Sequence, residues 1–88
     1  RHIEIQGHTD DIGDGQENLT LSHRRADAVY AALAERGVDP IRLETTGYGE
    51  SQPLVPGTSR RARAANRRVV FLIIPEVVWR EQHGGGAQ

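Results

Sequence analysis

Polar and apolar positions alternate from His2 to Gln6, with Ile3 and Ile5 on one side and His2, Glu4 and Gln6 on the other. A period of two is the mark of a strand with one buried face. Gly7 closes the run. The stretch from Asp10 to Glu17 is polar, carries Gly13 and Gly15, and reads as a loop. The period then changes: Leu21, Ala28, Val29, Ala32 and Leu33 recur at helical spacing and predict a helix from about Asn18 to Arg36. Asn18 or Thr20 is placed to cap its first turn. Gly37 suits the residue after its last turn, with Val38 set for the hydrophobic contact that follows such a stop.

Alternation returns at Ile41–Thr46, which predicts a second strand. A crossover through one helix makes the first two strands parallel neighbours. Gly47, Gly49, Pro53, Pro56 and Gly57 mark a long loop, with Tyr48 in its first turn closing the core, and Ser59–Ala65 a short helical turn. The third strand, Arg67–Ile74, is apolar on both sides: Val69, Phe71 and Ile73 on one, Val70, Leu72 and Ile74 on the other. Such a strand is usually central or covered on both faces. Pro75 limits its ladder, which Val77-Val78-Trp79 is able to extend. Gly84–Gln88 reads as a flexible tail. The organisation is thus one α+β domain over residues 1–76, followed by an extension and tail over 77–88.

Composition narrows the class. Eighty-eight residues allow one small domain, which buries only ~60–65% of its unfolded surface. Cysteine is absent, so no disulfide supports the fold. The net charge of −1 argues against a general polyanion binder, and all eleven basic residues other than histidine are Arg. No apolar run approaches the ~20 residues that span a membrane as a helix. The chain opens directly in a strand-like run, as expected of a domain set within a longer protein.

Two charged residues stand where the local pattern asks for something else. Arg25 lies four residues after Leu21 and four before Val29, in line with the apolar stripe. It either snorkels to solvent, joins an internal ion pair or faces a ligand. Asp10 follows the first strand closely, where an Asp forms an Asx-turn or meets a ligand. A strand-loop-helix return brings the two ends together. An Asp and an Arg a few ångströms apart form a receptor for a zwitterion, since a guanidinium grips a carboxylate and a carboxylate holds an ammonium.

Four motifs in order, Gly7-His8-Thr9-Asp10, Asn18-Leu19-Thr20-Leu21-Ser22 with Arg25-Ala26, Gly47-Tyr48-Gly49-Glu50-Ser51 and Asn66-Arg67-Arg68-Val69, make the chain resemble the OmpA-like peptidoglycan-binding domain, the family of OmpA, Pal and MotB. The resemblance covers roughly Ile3 to Ile74. It implies a β-α-β-α-β-β fold of helices on a mixed sheet, here shortened to about β-α-β-β because the family's first strand and helix have no counterpart. It also implies that Asp10 and Arg25 grip the diaminopimelate of a peptidoglycan stem peptide, with Asn18, Arg67 and Thr9 lining the same pocket. No cofactor or metal is implied. The expected place is the periplasm, on a membrane-associated parent such as a porin, a lipoprotein or a motor stator. Loss of the first strand makes Arg67–Ile74 an open edge, so a homodimer or larger assembly through residues 67–79 is expected. Otherwise Val77-Val78-Trp79 folds back over the gap.

Rival chemistries fare worse. From Asp10, positions three and twelve of a calcium loop fall on Ile12 and Leu21, which are not oxygen ligands. His2, His8, His23 and His83 lack the paired spacing of a zinc site, and His8 is expected to pack its ring or bond to a loop. Ser59–Arg68 carries five Arg but no interleaved aromatic residue, so it reads as a solvated face and not a nucleic-acid surface. No Ser-His-Asp or Cys-His order and no glycosidase-like carboxylate pair stands out, so the chain is read as a binding module and not an enzyme.

Overall fold

The computed structural model describes residues 1–84. The rest of the expected tail, residues 85–88, lies outside the described residues. The elements are β1 (His2–His8), α1 (Gly15–Glu35), a 3-10 turn (Pro40–Arg42), β2 (Leu43–Gly49), α2 (Arg60–Asn66), β3 (Arg68–Ile74) and α3 (Glu76–Gln82). Among the described residues the strands form one mixed sheet in the order β2-β1-β3. β1 pairs parallel with β2, as a helical crossover requires, and antiparallel with β3. The α+β class and the parallel pair are as the sequence predicts.

The centre of the sheet is β1, not β3. Ile5, at 0% exposure, packs with Ala26 and Leu43, and Ile3, Val29, Tyr30, Leu33, Val38 and Val69 close around them. Burying one such Ile stabilises the fold by ~1.5–3 kcal/mol. β3 lies at an edge, and Phe71, Leu72 and Ile73 are 53%, 48% and 55% exposed. An apolar strand therefore stands here without the cover its composition suggests.

Helix α1 begins three residues earlier than its apolar spacing indicates. Asp14 is the cap, its side chain accepting from the Glu17 N–H at 3.0 Å. Asn18 and Thr20 sit inside the helix, and Thr20 Oγ1 donates back to the Gln16 carbonyl. The buried line is Asn18, Ser22 and Ala26, while Leu21 and Ala28 are exposed. The reason is close approach. A Cβ on Gly7 would land on the Ser22 carbonyl, and one on Gly47 would lie 2.6 Å from the His23 nitrogen. The first half of α1 thus rests on strand glycines, where only small side chains fit. Arg25 is half-buried on the flank of this line, not within it. The helix ends as expected: Gly37 takes φ 96°, its N–H donates to the Ala34 carbonyl, and the Val38 N–H donates to the Leu33 carbonyl, both at 3.1 Å.

Four local expectations are corrected. Gly7 does not end β1, and Gly47-Tyr48-Gly49 belongs to β2, because the parallel ladder runs on through Gly7 and Gly47. Ile41 lies in the 3-10 turn, 74% exposed, with its N–H donated to the Asp39 carboxylate. Val77-Val78-Trp79 is helical, not an extension of β3. Pro75 stands at the N-cap of α3, where it makes no side-chain capping bond, and Glu76 in the first turn suits the positive end of the helix dipole. Trp79 stacks between His2 and His83, with ring centroids 3.9 Å and 3.5 Å away. Docked there, α3 leaves Phe71 to Ile73 exposed.

On β1 and β2 the sheet face away from α1 is polar, while β3 adds Val70, Leu72 and Ile74 to it. Glu4 accepts from Thr46 Oγ1 at 2.6 Å, Gln6 Nε2 at 2.9 Å and the Tyr48 hydroxyl at 3.3 Å. His8, 1% exposed, stacks on Tyr48 and bonds through Nε2 to Gln6 Oε1 at 3.2 Å. Tyr48 thus belongs to this network and not to the core beneath α1.

Candidate functional site

Past the end of β1 the chain turns over the first turns of α1, and the predicted residues gather there. Thr9, 4% exposed, continues the parallel pairing by donating its N–H to the Gly49 carbonyl at 2.9 Å, and its hydroxyl donates to the Asp10 carbonyl. Asp10 then makes an Asx-turn, Oδ1 accepting from the Ile12 N–H at 3.0 Å. Its other oxygen, Oδ2, accepts from Arg67 Nη1 at 2.8 Å. The Arg67 hydrogen bond, and after it the Ile12 N–H, hold the Asp10 carboxyl below its ordinary pKa. Asp10 is mostly buried, its side chain 12% exposed, whereas Arg67 is 46% exposed.

Asn18 lies one turn into α1 and ties this loop down. Its Nδ2 donates to the Ile12 carbonyl at 2.9 Å, to Glu50 Oε1 at 3.1 Å and to the Asp10 carbonyl at 3.4 Å. Arg25 stands seven residues, about two turns, further along the helix. It lines a shallow cavity of about 300 Å³ with Arg67, Arg68 and Val69. Among the described residues Arg25 makes no ion pair. Thr9, Asp10, Asn18 and Arg67 are therefore joined by direct contacts or through the Asp10 backbone, and Arg25 meets them at the cavity it shares with Arg67. The guanidinium on Asp10 is that of Arg67, where the sequence pointed to Arg25.

Sequence reasoning missed the residues that shape the opposite wall. Asn66, 5% exposed, accepts from the Leu54 and Val55 N–H groups at 2.8 and 2.9 Å and donates to the Val55 carbonyl at 3.0 Å. Arg68 donates to the Gln52 carbonyl at 3.0 Å and the Asn66 carbonyl at 3.1 Å, and burial lowers its pKa. Asp11 pairs with Arg63 of α2 at 2.8 Å, which holds its carboxyl below the ordinary range. These bonds shape the 50–58 loop into one side of a cavity of about 150 Å³ that Thr9, Asp10, Glu50 and Asn66 also line. The available signal was Asn66 itself, a polar residue closing a short helix just before an apolar strand. Among the described residues no three His, Asp or Glu side chains gather as a metal site would need.

The molecule is a small α+β domain whose mixed sheet sets carboxylates and guanidiniums together past the end of its central strand. Residues 1–67 match the model of the OmpA family, and the chain belongs to that family. It is 47% identical over 68 residues to outer membrane porin F of Pseudomonas fluorescens, a match covering 77% of this chain and 21% of the porin. The fold is similar to the crystal structure of the peptidoglycan-associated lipoprotein from Burkholderia pseudomallei, with a TM-score of 0.74 at 37% identity, covering 81% of this chain and 62% of that one. It is also similar to the C-terminal domain of Helicobacter pylori MotB, with a TM-score of 0.77 at 30% identity, covering 94% of this chain and 65% of that one. The chain thus spans less than two thirds of each of these proteins. Outer membrane porin, peptidoglycan-associated lipoprotein and periplasmic MotB domain all belong to the cell envelope, and this domain is placed there with them.

Proposed function

We propose that the domain is a non-catalytic peptidoglycan-binding module that anchors its parent protein to the wall by recognising the diaminopimelate of the stem peptide. The observation that carries this reading is the meeting of Asp10, held at low pKa, with Arg67, and of Arg67 with Arg25 in one open cavity. Opposite charges at such spacing suit the ammonium and carboxylate of a free amino-acid end. Asn18 and Thr9 hold the Asp10 backbone in position. Recognition of this kind makes and breaks no bond. Pulldown on purified sacculi tests it: the unaltered protein is retained, and Asp10→Ala and Arg25→Ala each lose ~2 kcal/mol or more of affinity, as for a hydrogen-bonded charge contact. Equal retention of all three proteins would reject the reading, and new products from muropeptides would reject its non-catalytic part.

A second reading rests on β3. Its outer edge is unpaired among the described residues, and Val69 to Ile74 contain no charge and no Pro that would discourage edge pairing. Two copies pairing through residues 67–79 would extend the sheet across a two-fold axis. Sedimentation with and without wall fragments separates this assembly from wall binding: a monomer at every concentration excludes it.

A further inference from the structure

His8 and Arg68 stand directly opposite each other in the β1–β3 ladder, on the face away from α1, and both are incompletely bonded. His8 is 1% exposed, stacks on Tyr48 of β2, and meets Gln6 Oε1 through Nε2 at 3.2 Å. Glu4, a carboxylate held ionised by its bonds, can only accept, and it takes the Gln6 Nε2 donor at 2.9 Å. Gln6 therefore turns its carbonyl oxygen to His8, so His8 Nε2 donates and the neutral ring carries its lone pair on Nδ1. That Nδ1, like Arg68 Nε, is buried without a partner among the described residues. A proton added at Nδ1 finds no acceptor and sets a second positive charge across from Arg68. Burial first, and then the Arg68 charge, hold the pKa of His8 below its ordinary value, against the pull of Glu4 on the same strand. Tyr48 contributes no charge, since burial and then Glu4 raise its pKa.

Arg68 carries the effect to the site. Its Nη2 donates to the Gln52 carbonyl at 3.0 Å and its Nη1 to the Asn66 carbonyl at 3.1 Å. The first bond ties down the start of the 50–58 loop, whose Glu50 and Pro53 line the cavity beside Asp10. Asn66, an amide that does not titrate, ties down the middle of that loop through Leu54 and Val55. One of the two ties is thus set against a group that changes charge, and the other is not. We infer that His8 and Arg68 form a proton-gated positioning pair: with His8 neutral, Arg68 pins the 50–53 rim, and with His8 charged, Arg68 lets it go. Arg68 is the member that can move, because it borders the open cavity it shares with Arg25, whereas His8 is enclosed. The sign follows from the lowered pKa of His8: the rim is held at neutral pH and is released as pH falls through the folded-state value. Both residues act through the backbone of the loop and not on a ligand. The use of this gate rests on the peptidoglycan reading above and extends it to the conditions under which the site keeps its shape.

The test follows the unaltered protein by NMR between about pH 8 and about pH 4, a span that covers imidazole titration, with retention on purified sacculi measured over the same series. The carbon shift of the Gln52 carbonyl is expected to track the His8 ring on one curve, while the Leu54 and Val55 amides, held by Asn66, stay in place. Retention falls ~5-fold over that curve, less than the full worth of a hydrogen bond from a charged donor. His8→Phe removes the step from both readouts and so separates it from titration of the wall itself. Arg68→Gln loosens the rim at every pH and moves the His8 midpoint upward, a shift that structural damage alone does not give. Arg68→Lys keeps the charge and the low midpoint. If the Gln52 carbonyl ignores the His8 titration, or Arg68→Gln leaves the His8 midpoint unmoved, the pairing is wrong. If the rim moves but retention stays level, it does not gate the site, and the inference fails while wall binding stands. If sacculi retain the protein at no pH, the peptidoglycan reading fails, and the NMR curves still decide whether Arg68 answers to His8.

Discussion

The two faces of the β1–β2 pair are built from the same strands and hold together by different physics. Under α1 the contacts are apolar and crowded: Ile5 is fully buried, and Gly7 and Gly47 bring the helix backbone almost onto the strands. On the other face, Glu4, Gln6, His8, Thr46 and Tyr48 form a chain of hydrogen bonds with one ionised carboxylate at its centre. Volume decides stability on the first face, and protonation decides it on the second. A side chain's neighbour one residue along the strand therefore answers to a different rule.

The sharpest way to break this division is Ile5→Ala. Deleting a fully buried branched side chain costs ~2–5 kcal/mol in transfer and cavity terms, measured by urea unfolding. Gly7→Ala comes next at ~3 kcal/mol, since the added carbon meets the backbone of α1 and not a flexible side chain. On the polar face Thr46→Val removes one hydrogen bond to a carboxylate and should cost only ~1.5 kcal/mol. If Thr46→Val proves as damaging as Ile5→Ala, the division of labour is wrong.

The smallest effect is one of slope. Burial, and then the Arg68 charge, lower the pKa of His8 from its ordinary 6.5, against an opposing pull from Glu4. For Glu4, burial raises the pKa, but bonds from Thr46, Gln6 and Tyr48 and the charge of His8 together outweigh it, and the net shift is below 4.5. Both folded values thus lie under the unfolded ones. Each group contributes stability that is present above its unfolded pKa and is lost as pH falls through its folded pKa. Acidification should weaken the fold first through His8, below about pH 6.5, and then through Glu4, below about pH 4.5. His8→Phe keeps a ring on Tyr48, removes the first loss and lessens the second, since the His8 charge helps lower the Glu4 pKa. A melting-temperature series from pH 8 to pH 4 reads this directly, and an unchanged slope in His8→Phe would place the titration elsewhere.

Legibility in the sequence followed the same division. Ile3 and Ile5 announce β1 because apolar burial on one face enforces a period of two. Gly37 and Val38 announce the end of α1 because the stop is local backbone chemistry. The buried line Asn18-Ser22-Ala26 is silent in the sequence, since its small size answers to glycines on strands distant in the chain. Asp14 did leave a trace, an acidic cap three residues before Glu17, but the flanking glycines make the segment look like loop. Val77 and Val78 favour a strand by local preference, and the stacking of Trp79 against His2 from the other end of the chain overrides it. At the site, the motifs named Thr9, Asp10, Asn18 and Arg67, which the fold brings together. Which arginine grips Asp10 was decided by the turn from α2 into β3, a geometry no spacing records.

Asn66 has a consequence for how such a domain can diversify. Asn66 holds the middle of the 50–58 loop through two neighbouring backbone N–H groups and one carbonyl, and Arg68 adds a bond to the Gln52 carbonyl. Those groups exist whatever side chains the loop carries, provided no proline takes position 54 or 55. The loop's sequence is thereby uncoupled from its path. Mutations can accumulate along one rim of the cavity, altering its chemistry while its shape persists, so side chains that bond only to backbone grant the surrounding surface its freedom to vary.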